Sequence, residues 1–259
     1  MNEKTSTIRS LYPFALAEGE GVGTAYEYVA KAAFVRPLAK ELAHRSEGAG
    51  PRVARILVAG LPEKYGSSLD FAILAHDLQA ELVVVDDRPA AIERAQRAIE
   101  TLQRGGRLAG LKVRYAAVPA LADLHKLEPH DAVLSCEVLQ RVPAAGRGAF
   151  VDGLRSLAPR GALFVPNSEN ASHLKISGLH GLSGAEMASL FPGATCDFVD
   201  MPPFPPGITR SADQRSRAST GTFEALAMRG LDAYCKAESL VPAFVKRHVA
   251  HIVCAMWGL

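Results

Sequence analysis

Residues 56–89 read ILVAGLPEKYGSSLDFAILAHDLQAELVVVDDRP. Ile56-Leu57-Val58-Ala59 is a continuous apolar run of strand length, and Leu82-Val83-Val84-Val85 is a second. Between them, from Ser67 to Leu78, Leu69, Ile73, Leu74 and Leu78 recur at helical spacing. A strand apolar on both faces, then a helix, then another such strand is the mark of a parallel sheet covered on both sides.

The rhythm continues downstream. Pro89 suits the first turn of a helix through Ile92, Ala95, Ile99 and Leu102, which Gly105-Gly106 stops. Leu111 to Val118 reads as a third strand and Asp131 to Ser135 as a fourth. Phe150 to Leu157 is helical, and Ala162-Leu163-Phe164-Val165 is a fifth strand after the Pro159-Arg160-Gly161 turn. A helical segment from Thr222 to Lys246 precedes a last strand, His251 to Trp257. The pattern predicts an α/β fold with a doubly wound, mostly parallel sheet and helices on both faces.

Upstream of the strands, the first 50 residues read as helical. Ala25, Val29, Ala33, Leu38 and Leu42 follow near-helical spacing, with Pro37 dividing the run in two. Residues 1–50 therefore form an amino-terminal helical extension, closed by a linker from Ser46 to Pro51. Residues 51–259 form the sheet domain, with 201–249 inserted before the last strand.

The chain has 259 residues, enough for one domain with embellishments. Its formal net charge is +2, without the concentrated basic face that nucleic acid or an anionic membrane requires. Cys136, Cys196, Cys235 and Cys254 are scattered, and no pair has the spacing of a zinc or redox site. The start, Met1 to Ser10, lacks the apolar core of a signal peptide, and no apolar run approaches a bilayer span. A soluble, cytoplasmic protein is expected, with no metal, nucleic-acid or membrane partner. The oligomeric state, a homodimer included, stays open.

In an open parallel sheet, ligands bind beyond the carboxyl ends of the strands where the strand order reverses. Strand one ends at Gly60, which permits close backbone approach, and Gly66-Ser67-Ser68 follow at a helix start that can expose amide donors. The G-x-G-x-x-G spacing of dinucleotide binders is absent. Strand two ends in Asp86-Asp87, acceptors suited to the two hydroxyls of a ribose. One of the pair is expected to bind the ribose; one of them can instead cap the helix at Pro89, and both roles are filled together if Asp86 is the ligand and Asp87 the cap.

The fourth strand and its sequel, DAVLSCEVLQRVP (131–143), followed by LRSLAPRGALFVPN (154–167), resemble class I S-adenosylmethionine (SAM)-dependent methyltransferases. The turn with Leu157, Pro159 and Gly161 before strand five is a further trait of that family. The resemblance covers about Arg52 to Pro166. It implies a seven-stranded sheet with an antiparallel last strand, supplied by Ile252 to Trp257, and SAM as cofactor. It places Gly60 in the cofactor loop, Asp86 or Asp87 on the ribose, Ala120-Leu121 against the adenine, and Cys136 and Glu137 near the methionine portion. The chain departs from the family where an acidic residue is customary two positions before the glycine, which here is Val58. Glu63 is the candidate to replace it on the methionine ammonium.

Methyl transfer needs alignment and exclusion of water more than acid–base machinery, so no catalytic triad is required. Should the acceptor carry a proton, His173 and His180 after strand five are base candidates. In GVGTAYEYVAKAAFVRPL (21–38), Tyr26, Tyr28 and Lys31 lie close together and could form a lid, with Tyr28 a catalytic candidate. Asn167 and Asn170 at the end of strand five, and Phe204 in a proline-rich stretch, are candidates to bind the acceptor. Arg210, Arg215 and Arg217 could meet a substrate anion. The leading expectation is a methyltransferase with a small-molecule acceptor. A catalytically silent methyltransferase-like binding protein and a nucleotide-dependent oxidoreductase are the alternatives.

Overall fold

The computed structural model describes residues 7–48, 54–63, 66–203 and 222–259. Three helices lead: α1 (Ile8–Ala17), α2 (Val22–Phe34) and α3 (Arg36–Gly48). Thr7 and Ser10 cap α1 reciprocally. The chain breaks at Val35, and Pro37 sits inside the first turn of α3, where its missing N–H costs nothing. The predicted linker begins too early, because α3 runs through Gly48.

The sheet strands are β1 (Arg55–Ala59), β2 (Glu81–Asp86), β3 (Val113–Ala117), β4 (Ala132–Cys136), β5 (Gly161–Pro166), β6 (Thr195–Val199) and β7 (Ile252–Trp257). They form one seven-stranded sheet in the order β3-β2-β1-β4-β5-β7-β6. The pairs from β3 to β5 are parallel, and β7 runs antiparallel to both β5 and β6. This is the predicted doubly wound sheet with an antiparallel last strand. The sequence pattern locates six strands and misses β6. An edge strand is wetted along much of its length, and Thr195 and Cys196 are exposed, so no continuous apolar run marks it.

The connecting helices are α4 (Leu69–Asp77), α5 (Pro89–Arg104), α6 (Arg147–Leu157), α7 (Ala171–Ser177), α8 (Gly184–Leu190), α9 (Thr222–Glu238) and α10 (Ala243–Val249). The segment predicted as one helix over 222–246 is two, because Pro242 directly precedes α10 and cannot continue α9. Strand side chains alternate between two cores. Ile56, Val58, Leu82, Val84 and Phe164 pack under α1, α2, α4 and α5. Leu57, Ala59, Val83, Val85, Leu163 and Trp257 pack under α6 and α8. Each buried valine, leucine, isoleucine or phenylalanine among them contributes about 1.5–3 kcal/mol. No described helix is long and apolar enough to cross a membrane.

The strand order reverses between β1 and β4, whose carboxyl ends therefore flank the crevice where such sheets bind ligands.

Candidate functional site

Gly60 follows β1 at φ +83°, in the region that favours glycine, and its amide donates to the Val85 carbonyl. A side chain there would meet the Val138 methyls at 2.6 Å. The close approach that Gly60 permits is thus made by Val138, from the turn after β4.

Asp86 is fully buried at the end of β2. Its Oδ1 accepts from the Arg88 amide at 2.8 Å and from Arg88 Nε at 2.7 Å. Its Oδ2 accepts from the Leu61 amide at 2.7 Å, Arg88 Nη2 at 3.0 Å and Arg141 Nη1 at 3.4 Å. Burial opposes ionisation of Asp86, but the Arg88 and Leu61 donors outweigh it and hold the carboxyl below its ordinary range. The expectation that Asp86 receives a ribose is corrected by this pairing: both oxygens are consumed by the chain itself. Arg88 also donates to the Leu61 and Pro62 carbonyls, so one guanidinium locks the turn after β1 to the end of β2.

Asp87 is the carboxylate that faces a cavity. It pairs with Arg141 Nη2 and lines a space of about 690 Å³ together with Ala120, Leu121, Arg141, Val142 and Phe150. Of the acidic pair, Asp86 is structural and Asp87 lines the cavity. Ala120 and Leu121, from the segment after β3, line the same cavity as Asp87.

The side of the crevice at the start of α4 is filled by the amino-terminal helices. α4 starts at Ser68, which sits at φ 55° and caps nothing with its side chain. Glu18 caps α4 instead: its Oε1 accepts from the Ser67 amide at 2.9 Å and the Leu69 amide at 3.0 Å. Burial lifts the Glu18 carboxyl to about 7, against the lowering effect of the Tyr28 hydroxyl and the two amides. Gly66, at φ +71°, leaves room for Glu18, since a side chain there would come within 2.7 Å of Oε2. Ser67 therefore offers its amide to Glu18, and Tyr28 is buried against that carboxylate rather than exposed as a catalytic group.

Lys31, 1% exposed, is buried at the centre of the same region. Its Nζ lies 3.0 Å from Asp70 and 3.2 Å from Glu27, and 3.3 Å from Cys136 Sγ. It also stands 4.8 Å from the Phe71 ring centre and 5.2 Å from that of Phe164. Burial alone would discharge Lys31, but Asp70, Cys136 and Glu27 outweigh it and raise its pKa well above the ordinary value. This ammonium is an internal ion-pair partner, not the substrate contact expected of it. Cys136 is buried beside it, its thiol pushed up by burial. Glu137 follows at φ 54°, and burial and then Glu27 push its carboxyl up to about 8. Glu137 accepts from the Glu63 amide at 3.3 Å, which ties the turn after β4 to the turn after β1. The Glu63 side chain reaches Gln140 at 3.5 Å.

At the far side of the sheet, the carboxyl ends of β5 and β6 meet the start of β7. Asn167 Nδ2 donates to the Arg247 and Ala250 carbonyls, and its Oδ1 accepts from the Glu169 amide. Asn170 caps α7 and donates to the Val249 carbonyl. Both expected substrate residues are spent on fixing a turn. Tyr26 is fully buried, its hydroxyl donating to Glu238 of α9 at 2.7 Å, so it too is structural. His173 stacks on His251 with ring centres 4.0 Å apart. Burial, then the neighbouring His251, lowers His173 to about 4 and keeps it neutral. His251 Nδ1 lies 2.9 Å from Asp200 Oδ2, and that carboxylate outweighs burial to raise the His251 pKa. His251 is thus the ring that holds a proton more readily.

Phe204, Arg210, Arg215 and Arg217 lie outside the described residues. Sequence reading missed Glu18, Asp70, Arg88, Arg141, Asp200 and His251. Of these, Arg88 and Arg141 carried a signal, since each stands close to a residue singled out beside a strand end.

No family model matches the chain, and no curated protein matches it. Solved structures do. TehB from Haemophilus influenzae is 11% identical over 50% of this chain, with a TM-score of 0.35, and the match spans 41% of TehB. Magnesium protoporphyrin IX methyltransferase (ChlM) from Synechocystis PCC 6803, with bound SAM, is 17% identical over 64% of this chain and 70% of its own, with a TM-score of 0.40. The methyltransferase domain of bacterial CtHen1-CN is 12% identical over 86% of this chain and 97% of its own, with a TM-score of 0.44. These likenesses assign no substrate or residue role here. The architecture stands on its own strands: the sheet is parallel from β3 to β5, reverses between β1 and β4, and holds β7 antiparallel between β5 and β6, the arrangement expected from the resemblance to class I SAM-dependent methyltransferases.

Proposed function

We propose that the protein is a SAM-dependent methyltransferase acting on a small-molecule acceptor. The observation that carries this reading is the cavity of about 690 Å³ at the carboxyl edge, where Asp87 meets Ala120 and Leu121. A partly exposed carboxylate beside an apolar wall suits a ribose next to a flat base. The residues fit the nucleoside end of the cofactor. They do not fit its amino-acid end in this arrangement, because Glu18 holds the α4 amides and Lys31 holds Asp70 and Glu27. SAM, when bound, supplies a methyl carbon already electrophilic on sulfonium, which leaves the protein to align the acceptor and exclude water. Where an acceptor must lose a proton, the His251–Asp200 pair is the base available at this edge. The near-neutral net charge of +2 favours a small acceptor over nucleic acid.

A second reading, a catalytically silent binding protein on the same fold, is favoured by the saturation of Asp86 and by the two internal ion pairs. Calorimetric titration with SAM and S-adenosylhomocysteine, with NAD as control, followed by methyl-transfer turnover, separates the readings. Binding without turnover selects the silent protein. We expect S-adenosylhomocysteine to bind and Asp87→Ala to weaken it about tenfold or more, the cost of a lost charged hydrogen bond. Unchanged affinity in that variant removes Asp87 from the site, and absence of binding by the wild type and by a variant lacking the Glu18 side chain alike overturns the cofactor assignment.

A further inference from the structure

Outside the nucleoside cavity, the start of α4 combines three unusual features. First, the amides of Ser67, just before the helix, and of Leu69, its first residue, are held by a carboxylate that arrives from 49 and 51 residues away in sequence. Helices are ordinarily capped by the residue next door, and here Ser68 is in place but in a left-handed conformation that turns its side chain away from that role. Second, the Ser67 and Ser68 hydroxyls and Asp70 Oδ1 are buried at the same terminus with no hydrogen-bond partner. Polar atoms left so are costly, and at a helix start they point to a ligand that would satisfy them. Third, the cation Lys31 from α2 lies on Asp70 and Glu27 beside this terminus. A carboxylate on amides and an ammonium on carboxylates is the charge pattern of an α-amino acid.

We propose that Glu18, with Lys31 as its companion, is a built-in occupant of an amino-acid seat: the amino-terminal helices close the crevice by supplying, from the chain itself, the carboxylate and the ammonium that an incoming ligand would bring. The inference rests on the proposed cofactor reading for the identity of that ligand, the amino-acid end of SAM. The seat itself rests only on α4 and its neighbours. Opening requires Glu18 to leave the α4 terminus, so the junction between α1 and α2 is the moving part. The helix terminus welcomes any carboxylate in exchange, because its amides and dipole are indifferent to where the anion is attached.

The test uses the full chain and its Glu18→Ala and Glu18→Gln variants at pH 7.5. Glu18→Ala empties the seat, whereas Glu18→Gln keeps an acceptor of the same size in it. In the first arm, sodium acetate replaces sodium chloride at constant ionic strength. Acetate is expected to raise the melting temperature of Glu18→Ala by about 3 °C or more, as mass action requires of a ligand that binds only the folded state, and to shift the Ser67 and Leu69 amide resonances. Wild type and Glu18→Gln are expected not to respond. No selective response of Glu18→Ala overturns the seat. In the second arm, S-adenosylhomocysteine is expected to bind Glu18→Ala at least tenfold more tightly than wild type. Binding to both with equal affinity overturns the role of Glu18 as occupant. Acetate rescue together with no S-adenosylhomocysteine binding by any form leaves the seat standing and removes the cofactor reading instead.

Discussion

Lys31→Met is expected to destabilise the fold by about 3–5 kcal/mol, the range found when one partner of a buried ion pair is removed. Methionine keeps most of the aliphatic volume against Phe71 and Phe164, so the loss isolates the charge. Buried Asp70 and half-buried Glu27 would then face each other without a cation. Urea unfolding at pH 7.5 measures the loss, and repeating it at pH 5 adds a directional check. Burial already raises the pKa of both carboxyls, so protons can replace the missing ammonium in acid, and the deficit should shrink there. A loss below about 1 kcal/mol, equal at both pH values, would mean that the network relaxes to water and that Lys31 is not its keystone.

The second large effect concerns Glu18, whose carboxyl is raised from 4.5 to about 7 by burial. A group that holds its proton more tightly folded than unfolded stabilises the fold fully below the unfolded value. That contribution is lost as pH rises through the folded value. Wild-type stability should therefore fall between pH 4.5 and 7 on this account, and Glu137, raised to about 8, extends the decline upward. Glu18→Gln cannot ionise yet keeps an oxygen for the Ser67 and Leu69 amides. The stability of the variant relative to wild type should rise by about 3 kcal/mol from pH 4.5 to 8, since each tenfold gain in proton affinity on folding is worth about 1.4 kcal/mol. Denaturant midpoints of both proteins across that range check it. A difference that moves the other way would show that the α4 amides hold Glu18 ionised in the fold.

The sheet was legible in the sequence because its central strands are apolar on both faces and because proline and glycine punctuate the helices between them. Ile56–Ala59 and Leu82–Val85 declare themselves without any partner in view. Thr195–Val199 does not, since an edge strand needs only part of one face dry and so leaves no run to read. The site was less legible for a different reason. Sequence reading placed Asp86 and Asp87 at the correct strand end, yet the division of labour between them depends on which way Arg88 and Arg141 reach. Tyr26, Tyr28 and Lys31 read as a cluster of polar tips, but whether such tips meet solvent or other side chains is decided by α4 and α9, far away in the chain. Glu18 gave no signal at all: a glutamate among glycines, in Glu18-Gly19-Glu20-Gly21, looks like any solvated turn.

The placement of β7 carries a consequence for how the molecule comes apart. Among the described residues, β6 pairs with the sheet through β7 and through no other strand, with Val199 beside Ile252 at one end of the ladder and Thr195 beside Met256 at the other. Any fluctuation that detaches β7 must therefore release β6 as well, whereas β6 can peel away while β7 stays paired to β5. The Asp200–His251 contact straddles that seam, one residue beyond each strand. Its integrity is thus a reporter of the weaker of two nested openings, and the edge bearing it can breathe without disturbing the parallel half of the sheet.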